Sequence, residues 1–406
     1  MKILVINSGS SSIKYRLFDM PDKTVLASGV MEQIGEAQSR LTHHTRNRKG
    51  EMEKIVNAEP VADHQQGFQL IGAVLGESGA VQDNKALDGI GHRVVHGGEE
   101  FKEPTLINEK VIDTIRRLIP LAPLHNPANL QGIEVAMQST PQVPQVAVFD
   151  TAFHQSIPVH AFRYAIPQSL YEAHHVRRYG FHGTSHYYVA KQAAKLMDRS
   201  LKSLSLITLH LGNGASAAAV KGGISIDTSM GMTPLEGLIM GTRSGDIDPA
   251  IIFYLKRKTG LARDEVESIL NKDSGLKGIC GINDMRQIEE LARDGNPQAQ
   301  LAIEMACYRI KKYIGAYYAV LGRLDALVFT AGIGEKSPRI RAGSCRGLSH
   351  LGIEVDTDKN NRKSKEAFEV QTGDSTVKVL VIPTNEELEI AEQTVACIES
   401  NRSQGR

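Results

Sequence analysis

Two arginines stand in settings that suit an anionic ligand. Arg93 lies in Gly91-His92-Arg93-Val94-Val95-His96-Gly97-Gly98, and Arg243 in Gly241-Thr242-Arg243-Ser244-Gly245-Asp246. The valines beside Arg93 imply partial burial, and a partly buried guanidinium wants a carboxylate or phosphate as its bidentate partner. For Arg243 an internal salt bridge with Asp246 or Asp248 is the alternative. Asp150 closes the apolar run Val146-Ala147-Val148-Phe149, and His182 precedes a helical pattern in Tyr179-Gly180-Phe181-His182-Gly183-Thr184-Ser185-His186. A helix N-terminus disfavours imidazolium, so His182 is either a neutral donor to a phosphoryl oxygen or a structural histidine. His182 and His186 also have the spacing of a metal pair, without the glutamate of HExxH. Asn7-Ser8-Gly9-Ser10-Ser11-Ser12, with Lys14 just beyond, could bring backbone N–H groups close to a phosphate or be a ligand-free hairpin tip. The Walker A spacing is absent. Gly212-Asn213-Gly214 and Gly332-Ile333-Gly334-Glu335 also follow apolar runs, where backbone amides can meet a nucleotide. Glu386 and Glu387 open the last helical pattern. They either compensate its dipole or offer oxygen ligands to magnesium.

The elements that must hold these groups alternate between strand and helix, which predicts an α/β fold. Apolar runs at 3–6 and 13–18 flank the first polar tip, and runs at 206–211, 217–220 and 224–227 repeat the plan about 200 residues later. That recurrence predicts two halves of similar topology. Further strands are expected at 87–95, 143–149, 326–329 and 377–382, with helices including 61–75, 184–197 and 297–321. Thr384 and Glu387 have capping-box spacing for a helix at 385–398, followed by a frayed tail at 400–406. Residues 38–53 read as a hairpin or loop.

The chain has 406 residues, enough for two or three domains. With 47 Lys+Arg against 46 Asp+Glu there is no global field to attract nucleic acid or an anionic membrane. Four widely separated cysteines fit neither a zinc knuckle nor a disulfide framework, and the first residues hold too short an apolar run for a signal peptide. A cytoplasmic protein without a membrane span is expected.

These motifs, with Leu121-Ala122-Pro123-Leu124-His125-Asn126-Pro127, the stretch 232–248 and Pro383-Thr384-Asn385-Glu386-Glu387-Leu388, resemble the acetokinase family of the actin, heat-shock-protein and sugar-kinase superfamily. The resemblance covers essentially the whole chain. It implies an α/β fold of two duplicated actin-like (ribonuclease H-like) domains flanking an active-site cleft. The first would span 1–149, completed by a helix at 384–399, and the nucleotide-binding one 150–383, in a homodimer. It also implies reversible, magnesium-dependent transfer of the ATP γ-phosphoryl group to acetate, giving acetyl phosphate and ADP, with manganese able to substitute. By position, Asp150, His182 and Arg243 match the family's catalytic set and Arg93 its acyl-substrate arginine, with Val95, Leu124, Phe181 and Pro234 as the methyl pocket. Lys14 matches an ATP contact, and His210, Leu211, Gly212, Asn213 and Gly214 the second phosphate loop. Asp284, Met285 and Arg286, with Gly332, Ile333, Gly334, Glu335 and Lys336, match the adenosine side, and Asn7 and Glu386 the magnesium residues. Lys336 stands where family members often have Asn. Propionate kinase is the close alternative and butyrate kinase a more distant one. A nucleotide-switching or filament-forming protein is the alternative from another class, and a sugar kinase is disfavoured by Asn7 where those enzymes usually carry Asp.

Overall fold

The computed structural model describes residues 1–46, 52–81 and 87–404. It forms two compact units, Met1–Ala152 with Asn385–Arg406, and Phe153–Thr384. The first contains β1 (Lys2–Ser8), β2 (Ser12–Asp19), β3 (Thr24–Glu32), β4 (Arg40–Arg46), β5 (Met52–Asn57), β6 (Gly89–Val94), β7 (Thr105–Leu106) and β8 (Gln145–Phe149). They lie in the order β5-β4-β3-β2-β1-β6-β8-β7, with β1, β6 and β8 parallel and β1 to β5 a meander. The expected hairpin or loop at 38–53 is the β4–β5 pair as far as it is described, and residues 47–51 lie outside the described residues.

Ile3, Leu4, Val5 and Ile6 are all buried, as a central strand covered on both faces demands. Leu4 and Ile6 join Ile13, Leu17 and Met31 in one core, while Ile3 and Val5 join Val146, Val148, Ile390 and Ile398 in the other. The last helix, Glu386–Gln404, therefore belongs to the N-terminal sheet. It approaches β6 so closely that a Cβ at Gly91 would overlap Thr394 and come within 2.9 Å of Ile390.

The second unit contains β9 (Ser205–Leu211), β10 (Ala215–Lys221), β11 (Ile224–Thr228), β12 (Ala326–Thr330), β13 (Phe368–Glu369) and β14 (Lys378–Val381), in the order β11-β10-β9-β12-β14-β13. The first three are antiparallel neighbours, and β9, β12 and β14 are parallel. This is the plan of β3-β2-β1-β6-β8-β7, down to a two-residue antiparallel strand at the edge. The fold is thus α/β with a duplicated sheet topology. The helix Pro297–Leu321 has the expected bounds, because Asn296 accepts the Ala299 N–H at 3.0 Å, proline occupies its first turn and Gly322 leaves it at φ +76°.

Two expectations about the last helix need correction. Thr384 does not form the capping box; Asn385 Oδ1 instead accepts the Leu388 N–H at 3.2 Å, while the Thr384 hydroxyl meets Ser185 Oγ at 2.9 Å. The segment expected to fray continues as helix to Gln404.

Each unit buries a neutral histidine at structural depth. His92 Nε2 donates to Gln145 Oε1 at 2.7 Å, and His154 Nε2 donates to the Phe181 carbonyl at 3.0 Å while Nδ1 accepts from Ser225 at 2.8 Å. Burial pushes both down to about 4, against the opposing pull of those hydrogen bonds. With folded values below the unfolded one, their contribution is complete above about pH 6.5 and is lost as pH falls toward 4, on the order of 3 kcal/mol per site. Urea midpoints should therefore fall steeply between pH 6.5 and 4, and His92→Gln should flatten the drop; an unchanged pH slope in that variant would refute the assignment.

Candidate active site

In the N-terminal unit the chemistry gathers at the carboxyl ends of β1, β6 and β8. The β1–β2 tip is braced by three contacts: Gly9 N–H to Ser12 O at 2.7 Å, His64 Nε2 to Gly9 O at 2.7 Å, and Asn129 Nδ2 to Ser8 O at 2.7 Å. Asn7 and Lys14 face each other across the register of that hairpin. Arg93 and Asp150 leave neighbouring parallel strands and meet in a forked pair, with Nε 3.1 Å from both carboxylate oxygens and Nη2 2.6 Å from Oδ2. Asp150 is 1% exposed. Burial weakens the Arg93 charge, but Asp150, Glu386 and Glu387 outweigh it and hold the guanidinium more basic than usual. Glu386 is pushed up to about 7 by burial, with Asp150 and Glu387 adding to the shift and Arg93 and Lys14 opposing it.

Three supporting residues escaped the sequence reading. Arg16, two positions after Lys14 on β2, donates to Asn385 Oδ1 at 3.2 Å and stands 3.7 Å from Glu387, anchoring the first turn of the last helix. Asn126 Oδ1 accepts from His96 N–H at 3.1 Å and Asn129 Oδ1 from Val95 N–H at 3.0 Å, fixing the segment after Arg93. Leu124, just before their helix, is 64% exposed.

In the C-terminal unit a second set converges on the turn between β9 and β10. His182 caps the helix Gly183–Leu196 in the left-handed region, φ +56°, a strained place for a residue with a Cβ. A Cβ at Gly214 would sit 3.3 Å from His182 Nε2 and 3.8 Å from Arg243 Nη1, so both side chains reach the Gly212–Gly214 turn. Behind it, His182 stacks on His210 at 4.1 Å, and His210 Nδ1 pairs with Ser185 Oγ at 2.8 Å. The loop carrying Arg243 docks by Gly241 N–H to Asn213 O at 2.9 Å; any Cβ at Gly241 would overlap Asn213 Oδ1.

Arg243 does not form the internal salt bridge that was one reading of its loop. Its Nη1 donates to the Pro234 carbonyl at 2.9 Å and contacts Met240 Sδ at 3.7 Å. Asp246 is turned away by Gly245 at φ +67° and taken by Tyr313 Oη at 2.9 Å, Gly237 N–H at 2.8 Å and Arg309 at 3.4 Å. Burial lowers the basicity of Arg243. A half-buried cation held by a carbonyl, beside a glycine turn and a histidine, is suited to an incoming anion. His186 has both ring nitrogens engaged, by Thr208 and Ser216, so the pairing with His182 expected of a metal site is not formed.

The acetokinase family model matches residues 2–392. The chain belongs to the acetokinase family. It is 55% identical over 399 residues to the acetate kinase of Syntrophobacter fumaroxidans, covering 98% of this chain and 97% of that one. The crystal structure of Porphyromonas gingivalis acetate kinase superposes with a TM-score of 0.92 at 43% identity, over 98% of this chain and 99% of that one. A propionate kinase from Francisella tularensis superposes at 0.91, also at 43% identity, over 97% and 99%.

The stretches matching the acetokinase adenosine side lie in the C-terminal unit. Asp284 Oδ1 caps the helix Met285–Arg293 by accepting the Arg286 N–H at 2.9 Å, and pairs with the Arg286 side chain, which holds it down to about 2. The glycine tip after β12 is the short helix Ala331–Lys336, entered through Ala331 at φ +62°. Arg341 is 1% exposed and donates to the Gly334 carbonyl at 2.9 Å, the Glu335 carbonyl at 3.0 Å and Asn360 Oδ1 at 2.7 Å. Its long arm clamps that turn from inside. Val95 and Leu124 belong to one unit, Phe181 and Pro234 to the other.

The Arg93–Asp150 fork yields a direct test. Arg93→Ala and Asp150→Ala should each destabilise the protein by about 3 kcal/mol, since each breaks a buried pair by removing one member, while the double variant should lose clearly less than the sum. Strict additivity in urea unfolding would mean the pair is absent in solution.

Proposed function

We propose that the chain is an acetate kinase that transfers the γ-phosphoryl group of ATP reversibly to acetate, giving acetyl phosphate and ADP. The observation that supports it most is the convergence of His182 Nε2 and Arg243 Nη1 on the Gly212–Gly214 turn, with Arg243 paired to a carbonyl rather than a carboxylate. Acetate, a simple carboxylate, is already ionised at pH 7, so no general base has to remove a proton. The difficulty is the approach of one anion to another. In this reading Arg93, oriented by Asp150, holds the acceptor carboxylate, while Arg243 and His182 hold the phosphoryl oxygens as charge develops on them. Asp150 acts by fixing a guanidinium plane and not as a base.

Asn7 and Glu386 are the residues that would hold magnesium, with Lys14 beside them toward the nucleotide phosphates. An amide oxygen and a carboxylate fit that ion, which commonly takes one or two protein oxygens and completes its shell with phosphate and water. Among the described residues no three His, Cys, Asp or Glu group as a metal cluster. The ion, for which manganese would substitute, supplies neutralisation of phosphate charge when bound.

Val95 and Leu124 are the N-terminal unit's candidates for contact with the acetate methyl group, and Phe181 and Pro234 the C-terminal unit's. One methylene there is worth only about 1 to 3 kcal/mol, so propionate should be a secondary substrate. The protein is taken to act as a homodimer in the cytoplasm. Exposed Leu301, Met305 and Tyr308 recur at helical spacing along Pro297–Leu321, an apolar face that a second copy would cover, and no described helix is long and apolar enough to cross a membrane.

Hydroxylamine trapping of acyl phosphate with Mg-ATP should give product most strongly with acetate, then propionate, and least with butyrate. Phosphate release that ignores added carboxylate would replace the kinase by a nucleotide switch. Arg243→Ala should lower kcat by a factor on the order of 10³; a loss below about tenfold would place the charge elsewhere. Direct in-line transfer, expected because the motifs offer no intermediate phospho-acceptor, should invert a chiral γ-phosphate.

A further inference from the structure

Behind His182 lies a line of three hydrogen bonds whose proton order follows from donor counting. Thr208 Oγ1 is 2.7 Å from His186 Nδ1, His186 Nε2 is 2.8 Å from Ser216 Oγ, and Ser216 Oγ is 2.8 Å from His182 Nδ1. Thr208, His186 and Ser216 are all 0% exposed. His186 sits edge-on to His154 and His210, 5.7 and 6.3 Å between centroids, and burial together with those two rings holds it well below its usual pKa. It is a neutral ring with one N–H, and each hydroxyl has one O–H.

If His186 carried its proton on Nδ1, Thr208 Oγ1 would have to accept, and its own proton would have no acceptor among the described residues. If His182 donated from Nδ1 to a Ser216 already accepting from His186, the Ser216 proton would be stranded in the same way. A buried donor without an acceptor is the costly case. One order strands nothing: Thr208 donates to His186 Nδ1, His186 Nε2 donates to Ser216, and Ser216 donates to His182 Nδ1. His182 then carries its proton on Nε2, the atom aimed at the Gly214 turn.

We propose that Ser216, His186 and Thr208 are positioning residues that hold His182 as its Nε2–H tautomer, so that it presents a donor to the phosphoryl group. This rests on the reading above that His182 meets that group. A His182 protonated on Nδ1 would have Ser216 accept from both rings and leave the Ser216 proton without an acceptor.

The test uses the full-length protein labelled with 15N-histidine, with His182 assigned by the signal missing from His182→Gln. Long-range 1H–15N spectra should show the His182 proton on Nε2. Ser216→Ala should give mixed tautomers and lower kcat about tenfold, with KM for ATP within about twofold, as expected when one transition-state contact is weakened. Thr208→Val, which keeps the shape and touches neither His182 nor substrate, should shift both readouts the same way, and Thr208→Ser should restore them. A wild-type proton on Nδ1, or an unchanged tautomer and kcat in both Ser216→Ala and Thr208→Val, would overturn the proposal. Wild-type protein with the Nε2–H tautomer but no acyl phosphate from any short carboxylate would remove the kinase reading and leave the proton order standing.

Discussion

Positive charge has to be kept out of water here without being neutralised from within. A guanidinium that has found an internal carboxylate has little left for a phosphoryl group, and one left bare in the interior is too costly to fold around. Arg243 takes the intermediate course of a carbonyl and a thioether, and its lowered basicity records what burial without a counter-ion does. The nearest aspartate in sequence is removed from contention by Arg309 and Tyr313 of the long helix Pro297–Leu321. Arg93 takes the opposite course, paired to Asp150 and strengthened by Glu386. A paired guanidinium is rigid and suits a small carboxylate; an under-compensated one suits charge that appears only during transfer.

Backbone constraints make those positions possible. Gly241 must lack a Cβ for the Arg243 loop to lie against Asn213, and Gly91 must lack one for the last helix, with Glu386 in its first turn, to lie against β6. His182 and Ala331 occupy the left-handed region although neither is glycine. Such conformations persist where surrounding bonds over-determine them, and His182 is held by its helix, by Ser216 and by the His210 ring.

Much of this was legible in the chain. The apolar runs around the two polar tips showed the hairpins β1–β2 and β9–β10, because a strand buried on both faces leaves a continuous signal. The ends of Pro297–Leu321 were legible because cap, proline and glycine all agree there. The last helix was misread at its start because Thr384 and Asn385 both can cap, and only the distant Ser185 decides that the threonine hydroxyl is used elsewhere. Arg243 and Asp246 stand three positions apart in one glycine-rich loop, which suggests a salt bridge, but the turn at Gly245 points them apart. Arg16 and Arg341 left no local signal, and Asn126 stands in a motif that carries the family resemblance without showing what it bonds. Their importance lies in partners far along the chain, and a single sequence does not contain that pairing.

The duplicated topology explains why the chemistry lies where it does. In each unit three strands run parallel, and helices cover the faces, so the carboxyl ends of those strands are the one edge where loops can carry polar groups without breaking a core. Lys14 and Asn7 flank the tip that follows β1, Arg93 ends β6 and Asp150 follows β8; His210, Gly212 and Gly214 follow the same rule at β9, and Ala331 to Glu335 at β12. The two halves share a strand order and carry different residues at these tips. Packing constrains the arrangement of strands more tightly than it constrains the loops between them. At the first edge Asp150, Glu386 and Glu387 bear on Arg93, and at the second Arg243 and His182 reach the same glycine turn. One plan thus yields two polar edges of different chemistry, one built around an ion pair and the other around a glycine turn.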